Sequence, residues 1–112
     1  MFLRKPMKIT LIRHGESIAN AGNFISDDPS KPVGLTETGR AQAESLALRL
    51  KTEIFTHAYA SEFPRARETA AILLRHHRCT LTIDARLNER KSGMDGQPVH
   101  LFNDRMKLDP LH

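Results

Sequence analysis

The feature that most constrains the fold is an alternation of short β-branched runs with longer amphipathic ones. Lys8-Ile9-Thr10-Leu11-Ile12 has the length and branching of a strand. It stops at Arg13-His14-Gly15, where the glycine permits a sharp turn. Thr36 suits a helix N-cap, and Glu37 sits favourably against the dipole in the first turn. Ala43, Leu46, Ala47 and Leu50 then recur at i, i+3, i+4 and i+7, which is a helical stripe. Ile54 to Ala60 reads as a second strand, broken by Ser61-Glu62-Phe63-Pro64. Pro64 fits the first turn of the next helix, whose apolar face (Ala66, Ala70, Leu73 and Leu74) runs to about Arg75. Thr80 to Ile83 is a third, alternating strand. Two successive strand–helix–strand units predict an α/β fold: an open, mainly parallel sheet flanked by helices.

Between these elements, Asn20 to Gly34 is rich in Gly, Asn, Asp, Ser and Pro and reads as a surface loop. Asp84 to Pro98 is loop-like, and Val99, Phe102 and Met106 at i, i+3 and i+7 allow a short last helix. No internal repeat or linker interrupts the 112 residues, a length that suits a single domain over 1–112.

Composition narrows the function classes. With 39% apolar and 27% charged residues, the chain has globular rather than disordered character. Its longest apolar run, Ala70 to Leu74, falls far short of the roughly 20 residues a bilayer demands, so no membrane role is expected. Met1 to Pro6 carries basic residues with no apolar core behind them, so no signal peptide is expected. Cys79 stands alone, which excludes an internal disulfide and fits a reducing compartment, here the cytoplasm. The formal charge of +4 favours anionic ligands. His76-His77 with Cys79 invites a metal, but adjacent histidines point to different helix faces, and no metal is expected. The basic stretch Arg65 to Arg78 lacks aromatic interleaving, which weighs against nucleic acid.

In a parallel α/β sheet, ligands bind beyond the carboxyl ends of the strands. Three polar groups fall there: Arg13 to Ser17, Ser61 to Arg67, and Asn88-Glu89-Arg90. Together they offer what phosphoryl transfer needs. A neutral imidazole, His14, can attack phosphorus. The planar forks of Arg13 and Arg65 match phosphate oxygens, and Arg65 lies near a helix N-terminus that favours anions. Glu89 can protonate a leaving oxygen if its surroundings raise its pKa. Against this stand blander readings: a hydrogen-bonded structural histidine, solvated arginines at a helix start and a surface carboxylate.

Leu11-Ile12-Arg13-His14-Gly15-Glu16-Ser17, with Asn20 three residues on, resembles the signature of the histidine phosphatase superfamily, the phosphoglycerate-mutase-like proteins. Gly34 to Ala43 is similar to that family's LTxxGxxQA segment. Tyr59 to Ala70 is similar to its SxLxRAxxTA segment, with Phe63 in place of the usual leucine, and Leu87 to Gly93 is similar to its LxExxxG block. Four blocks in the right order cover roughly Lys8 to Gly96. The resemblance implies that His14 is phosphorylated and dephosphorylated in turnover, that Arg13 and Arg65 hold the phosphoryl group, and that Glu89 is the proton donor. It places Ser17, Asn20 and the loop before Leu35 towards a phosphorylated small-molecule substrate, and implies no metal or other cofactor.

Members of the family continue to a further strand ending in an SHG-like block, whose histidine completes the phosphate pocket. The remaining histidines here (His57, His76, His77, His100 and His112) do not precede a glycine. The expectation is therefore the N-terminal portion of such a domain, with apolar surface that favours homo-oligomers. The expected reaction is phosphomonoester hydrolysis through phosphohistidine. A phosphoglycerate-mutase-type phosphotransferase and a catalytically incompetent anion-binding module are the alternatives.

Overall fold

The computed structural model describes residues 8–88 and residue 95. Helix α1 (Ile18–Gly22) is followed by α2 (Glu37–Arg49), strand β1 (His57–Ala60), helix α3 (Pro64–Leu73), strand β2 (Thr80–Ile83) and a single 3₁₀ turn, Ala85–Leu87. Strands β1 and β2 pair in parallel, from His57 against Thr80 to Ala60 against Ile83, with α3 as the crossover. The α/β class with a small parallel sheet flanked by helices is thus the observed one.

Local chemistry explains where the helices begin. Thr36 caps α2 by accepting the Gly39 N–H at 3.0 Å, with Glu37 in the first turn and Arg49 in the last, both of the sign the dipole favours. Helix α3 opens on Pro64, whose fixed φ and missing N–H cost nothing in a first turn. Leu35, Ala43 and Ile72 form the buried cluster between α2 and α3. Phe63, at 1% exposure, is buried immediately before α3. Glu68 and Arg40 tie the chain at Leu35 to both helices: Leu35 N–H donates to Glu68 Oε2 (3.3 Å) and Arg40 donates to the Leu35 carbonyl (3.1 Å).

Four expectations are corrected. Residues 8–12 form no strand. Within the described residues no backbone hydrogen bond reaches residues 8–14, and Leu11 is 90% exposed. β-Branching says a segment would suit a pleated surface, but only a paired neighbour makes it a strand. The parallel sheet therefore contains one strand–helix–strand unit among the described residues, not two. Second, β1 begins at His57 rather than Ile54, because its ladder can extend no further than the four residues of β2. Third, the stretch read as loop from Asn20 is helical to Gly22. Fourth, of the face read as Ala66, Ala70, Leu73 and Leu74 only Leu73 is buried, and α3 buries Arg65, Thr69 and Ile72 beside it, while Ala66 and Ala70 are half-buried.

The helix expected around Val99 to Met106 lies outside the described residues, and none of the described helices is long and apolar enough to cross a membrane. Asp95 returns to the 27–31 segment: it accepts the Asp27 N–H at 2.8 Å and pairs with Lys31 at 3.2 Å.

Candidate active site

The turn that carries His14 is anchored from its C-terminal side. Gly15 N–H donates to Thr69 Oγ1 of α3 (3.2 Å), and Glu16 N–H donates to Gln42 Oε1 of α2 (2.8 Å). The Glu16 carbonyl accepts the Thr36 N–H (3.0 Å), and Ile18 N–H donates to the Gly34 carbonyl (2.8 Å). This sewing requires two glycines. A Cβ on Gly15 would collide with the backbone of Gly39, and one on Gly39 with the backbone of Glu16. The turn and the first turn of α2 meet backbone to backbone.

His14 is half-buried, and its Nδ1 lies 2.6 Å from the carbonyl oxygen of Gly15. A carbonyl only accepts, so Nδ1 carries the proton in this contact and Nε2 keeps its lone pair in the neutral ring. Arg65 is 4% exposed at the second position of α3. Its guanidinium donates to Ser26 Oγ (3.1 Å) and to the Ser26 carbonyl (3.0 Å), and stacks over the Phe63 ring at 4.1 Å. Ser26, itself buried, thereby draws the 24–34 segment onto the start of α3.

Ser17 and Asn20 form a capping box on α1. Asn20 N–H donates to Ser17 Oγ (3.1 Å) and Ser17 N–H to Asn20 Oδ1 (3.0 Å). Ser17 is 1% exposed with its hydroxyl in this cap, whereas Asn20 is exposed. Arg13 is exposed, immediately before the turn.

Arg13, His14, Ser17, Asn20 and Arg65 all line one open groove of about 1360 Å³, which the residues of β1 line as well. Five of the six residues singled out from the sequence are thus brought to a common surface, with an imidazole and two guanidinium groups among them. The sixth, Glu89, lies outside the described residues. On the same groove Asp84 binds Arg86 through both carboxylate oxygens, the shortest contact being 2.7 Å. The hydrogen bonds from the Arg86 side chain and backbone lower the Asp84 carboxyl to about 2.

Ser26, Thr69 and Gln42 were not singled out from the sequence. Thr69 had a signal, since it stands four residues after Arg65 and can bond back to its carbonyl, as it does at 2.7 Å. Ser26 had none, because its contact crosses 39 residues.

Residues 9–108 match the histidine phosphatase superfamily (branch 1), and the chain belongs to that family. It is 39% identical over 88 residues to a probable phosphoglycerate mutase of Photorhabdus laumondii, covering 79% of this chain and 40% of the relative. Among solved structures it resembles a putative α-ribazole-5′-P phosphatase from Escherichia coli, with TM-score 0.72 and 31% identity over 88% of this chain and 48% of that one. It also resembles a mycobacterial glucosyl-3-phosphoglycerate phosphatase in complex with VO₃, with TM-score 0.69 and 25% identity over 88% and 46% of the two chains. The chain spans less than half the length of each of these relatives.

Proposed function

We propose that the chain carries the nucleophile of a cytoplasmic phosphomonoester phosphatase that works through a phosphohistidine on His14. The observation that carries this reading is the Nδ1 contact of His14 with the Gly15 carbonyl, which leaves Nε2 as the nucleophilic atom on a groove shared with Arg13 and Arg65. Nε2 attacks phosphorus in line and the ester P–O bond breaks, the leaving oxygen taking a proton from Glu89. Water then attacks phosphorus and the P–N bond breaks; the water's proton goes to the Glu89 carboxylate and inorganic phosphate leaves. Arg13 and Arg65 neutralise the transferring group. Ser17 and Asn20 bound the substrate side of the groove, the former by shaping α1 and the latter with an exposed amide.

A phosphorylated small molecule is the proposed substrate. The phosphatases among the similar solved structures support hydrolysis. The 39%-identical relative, a probable phosphoglycerate mutase, supports the second reading, transfer to another hydroxyl of a phosphoglycerate. Incubation with a labelled phosphomonoester tests both. The expected result is acid-labile label on the protein and release of inorganic phosphate, both abolished in His14→Ala. Isomerised phosphoglycerate without phosphate release selects the mutase. Label that survives in His14→Ala removes His14 from the mechanism, and anion binding without any label leaves a binding module.

A further inference from the structure

We infer that Thr69 is a positioning residue that sets the distance between the His14 turn and the Arg65 end of α3; the inference rests on the phosphohistidine reading. Its buried hydroxyl is used in both directions at once. It accepts the N–H of Gly15, the residue directly after His14, at 3.2 Å, and donates to the carbonyl of Arg65 at 2.7 Å. One oxygen therefore joins two backbone positions that are 50 residues apart in sequence, one directly after the imidazole-bearing His14 and the other bearing the buried guanidinium of the same groove.

The donor–acceptor order is chemically forced. The Arg65 carbonyl can only accept, so the hydroxyl proton points to it and a lone pair is turned towards Gly15. The helical i+4 spacing fixes where the oxygen sits, and χ1 of a β-branched residue has little freedom to move it. The contact also bears on His14 itself. The peptide unit between His14 and Gly15 is held at its N–H by Thr69, while the next carbonyl, that of Gly15, takes the imidazole Nδ1. Loosening that N–H frees the turn that orients the ring. A displacement of about 1 Å in a reacting group costs up to about a hundredfold in rate.

The test compares Thr69→Val, which keeps the shape and removes the hydroxyl, with Thr69→Ser, which keeps the hydroxyl. Amide hydrogen exchange at Gly15 is followed by NMR on the same chain used for turnover of a generic phosphomonoester. In Thr69→Val the Gly15 amide is expected to exchange at least about fivefold faster, the effect of losing a hydrogen bond worth about 1 kcal/mol. kcat is expected to fall about tenfold or more with KM within about a factor of two, because orientation rather than binding is lost. Thr69→Ser is expected to restore both. Unchanged Gly15 exchange in Thr69→Val overturns the inference, and so does a loss of kcat that Thr69→Ser fails to restore. If the unsubstituted chain turns nothing over, Gly15 exchange in the two variants still decides whether Thr69 holds the turn, and labelling of His14 decides the phosphohistidine reading separately.

Discussion

Thr36 and Glu16 grip each other at three points. The Thr36 hydroxyl donates to Glu16 Oε1 at 2.7 Å and also reaches the Glu16 carbonyl at 3.3 Å, and that carbonyl accepts the Thr36 N–H at 3.0 Å. The same hydroxyl oxygen caps α2. Thr36→Val therefore removes a helix cap and a loop anchor together. It is expected to lower stability by about 1–2 kcal/mol, read as a lower urea midpoint at unchanged slope, with Thr36→Ser close to the parent.

Gly39→Ala sets two opposed effects against each other. Inside a helix, alanine is favoured over glycine by about 1 kcal/mol. Here the new Cβ would come within 2.8 Å of Glu16 N and C, backbone atoms that cannot swing away. Overpacking of this kind costs about 1–3 kcal/mol and lies at the upper end where backbone is involved, so a net loss of about 2 kcal/mol is expected in the same denaturation assay.

Arg65→Lys keeps the charge and loses the fork. An ammonium cannot donate to Ser26 Oγ and the Ser26 carbonyl in the same plane while its charge is spread over the Phe63 ring. The proposed mechanism also sets Arg65 against the transferring group, where loss of one donor costs about 10²–10³ in rate, so a fall of that order in kcat is expected. Vanadate affinity measured by calorimetry should weaken in parallel.

Asp84 provides a pH test that does not involve turnover. Its carboxyl is lowered to about 2 by the hydrogen bonds from Arg86. A group depressed in the folded state contributes stability above its unfolded pKa, near 3.9, and loses it as pH falls towards about 2. Arg86→Ala is expected to return the Asp84 titration, followed by carboxyl NMR, towards 3.8 and to remove this dependence between about pH 4 and 2.

Much of the architecture could be read from local chemistry. Thr36 and Pro64 mark the starts of α2 and α3, and Thr80 to Ile83 reads as β2 at its observed bounds. What depended on distant partners could not. Lys8 to Ile12 has strand composition, yet pairing is a property of two segments. On α3, counting only apolar letters aligned Ala66 and Ala70 with Leu73 and Leu74, and of these only Leu73 is buried. The observed buried face instead uses Arg65, whose guanidinium is hydrogen-bonded and stacked, and Thr69, whose hydroxyl is satisfied within the helix. Helix α1 was missed because Asn at the third helical position reads as a loop former until its side chain is seen closing a capping box with Ser17. The groove residues Arg13, His14, Ser17, Asn20 and Arg65 were legible as a group because each lies in a motif block, whereas Ser26 reaches Arg65 through the fold alone.

The separation in sequence of the site's ties sets an order of assembly. The β1–α3–β2 unit closes within residues 57–83, so its nucleus forms from near neighbours. The Gly15–Thr69 and Ser26–Arg65 bonds close loops of 54 and 39 residues, and their entropy must be met before either bond gives anything back. The His14 turn is therefore expected to dock late, onto a crossover that is already built, and substitutions at Gly15 or Ser26 should speed unfolding while leaving the folding rate nearly untouched.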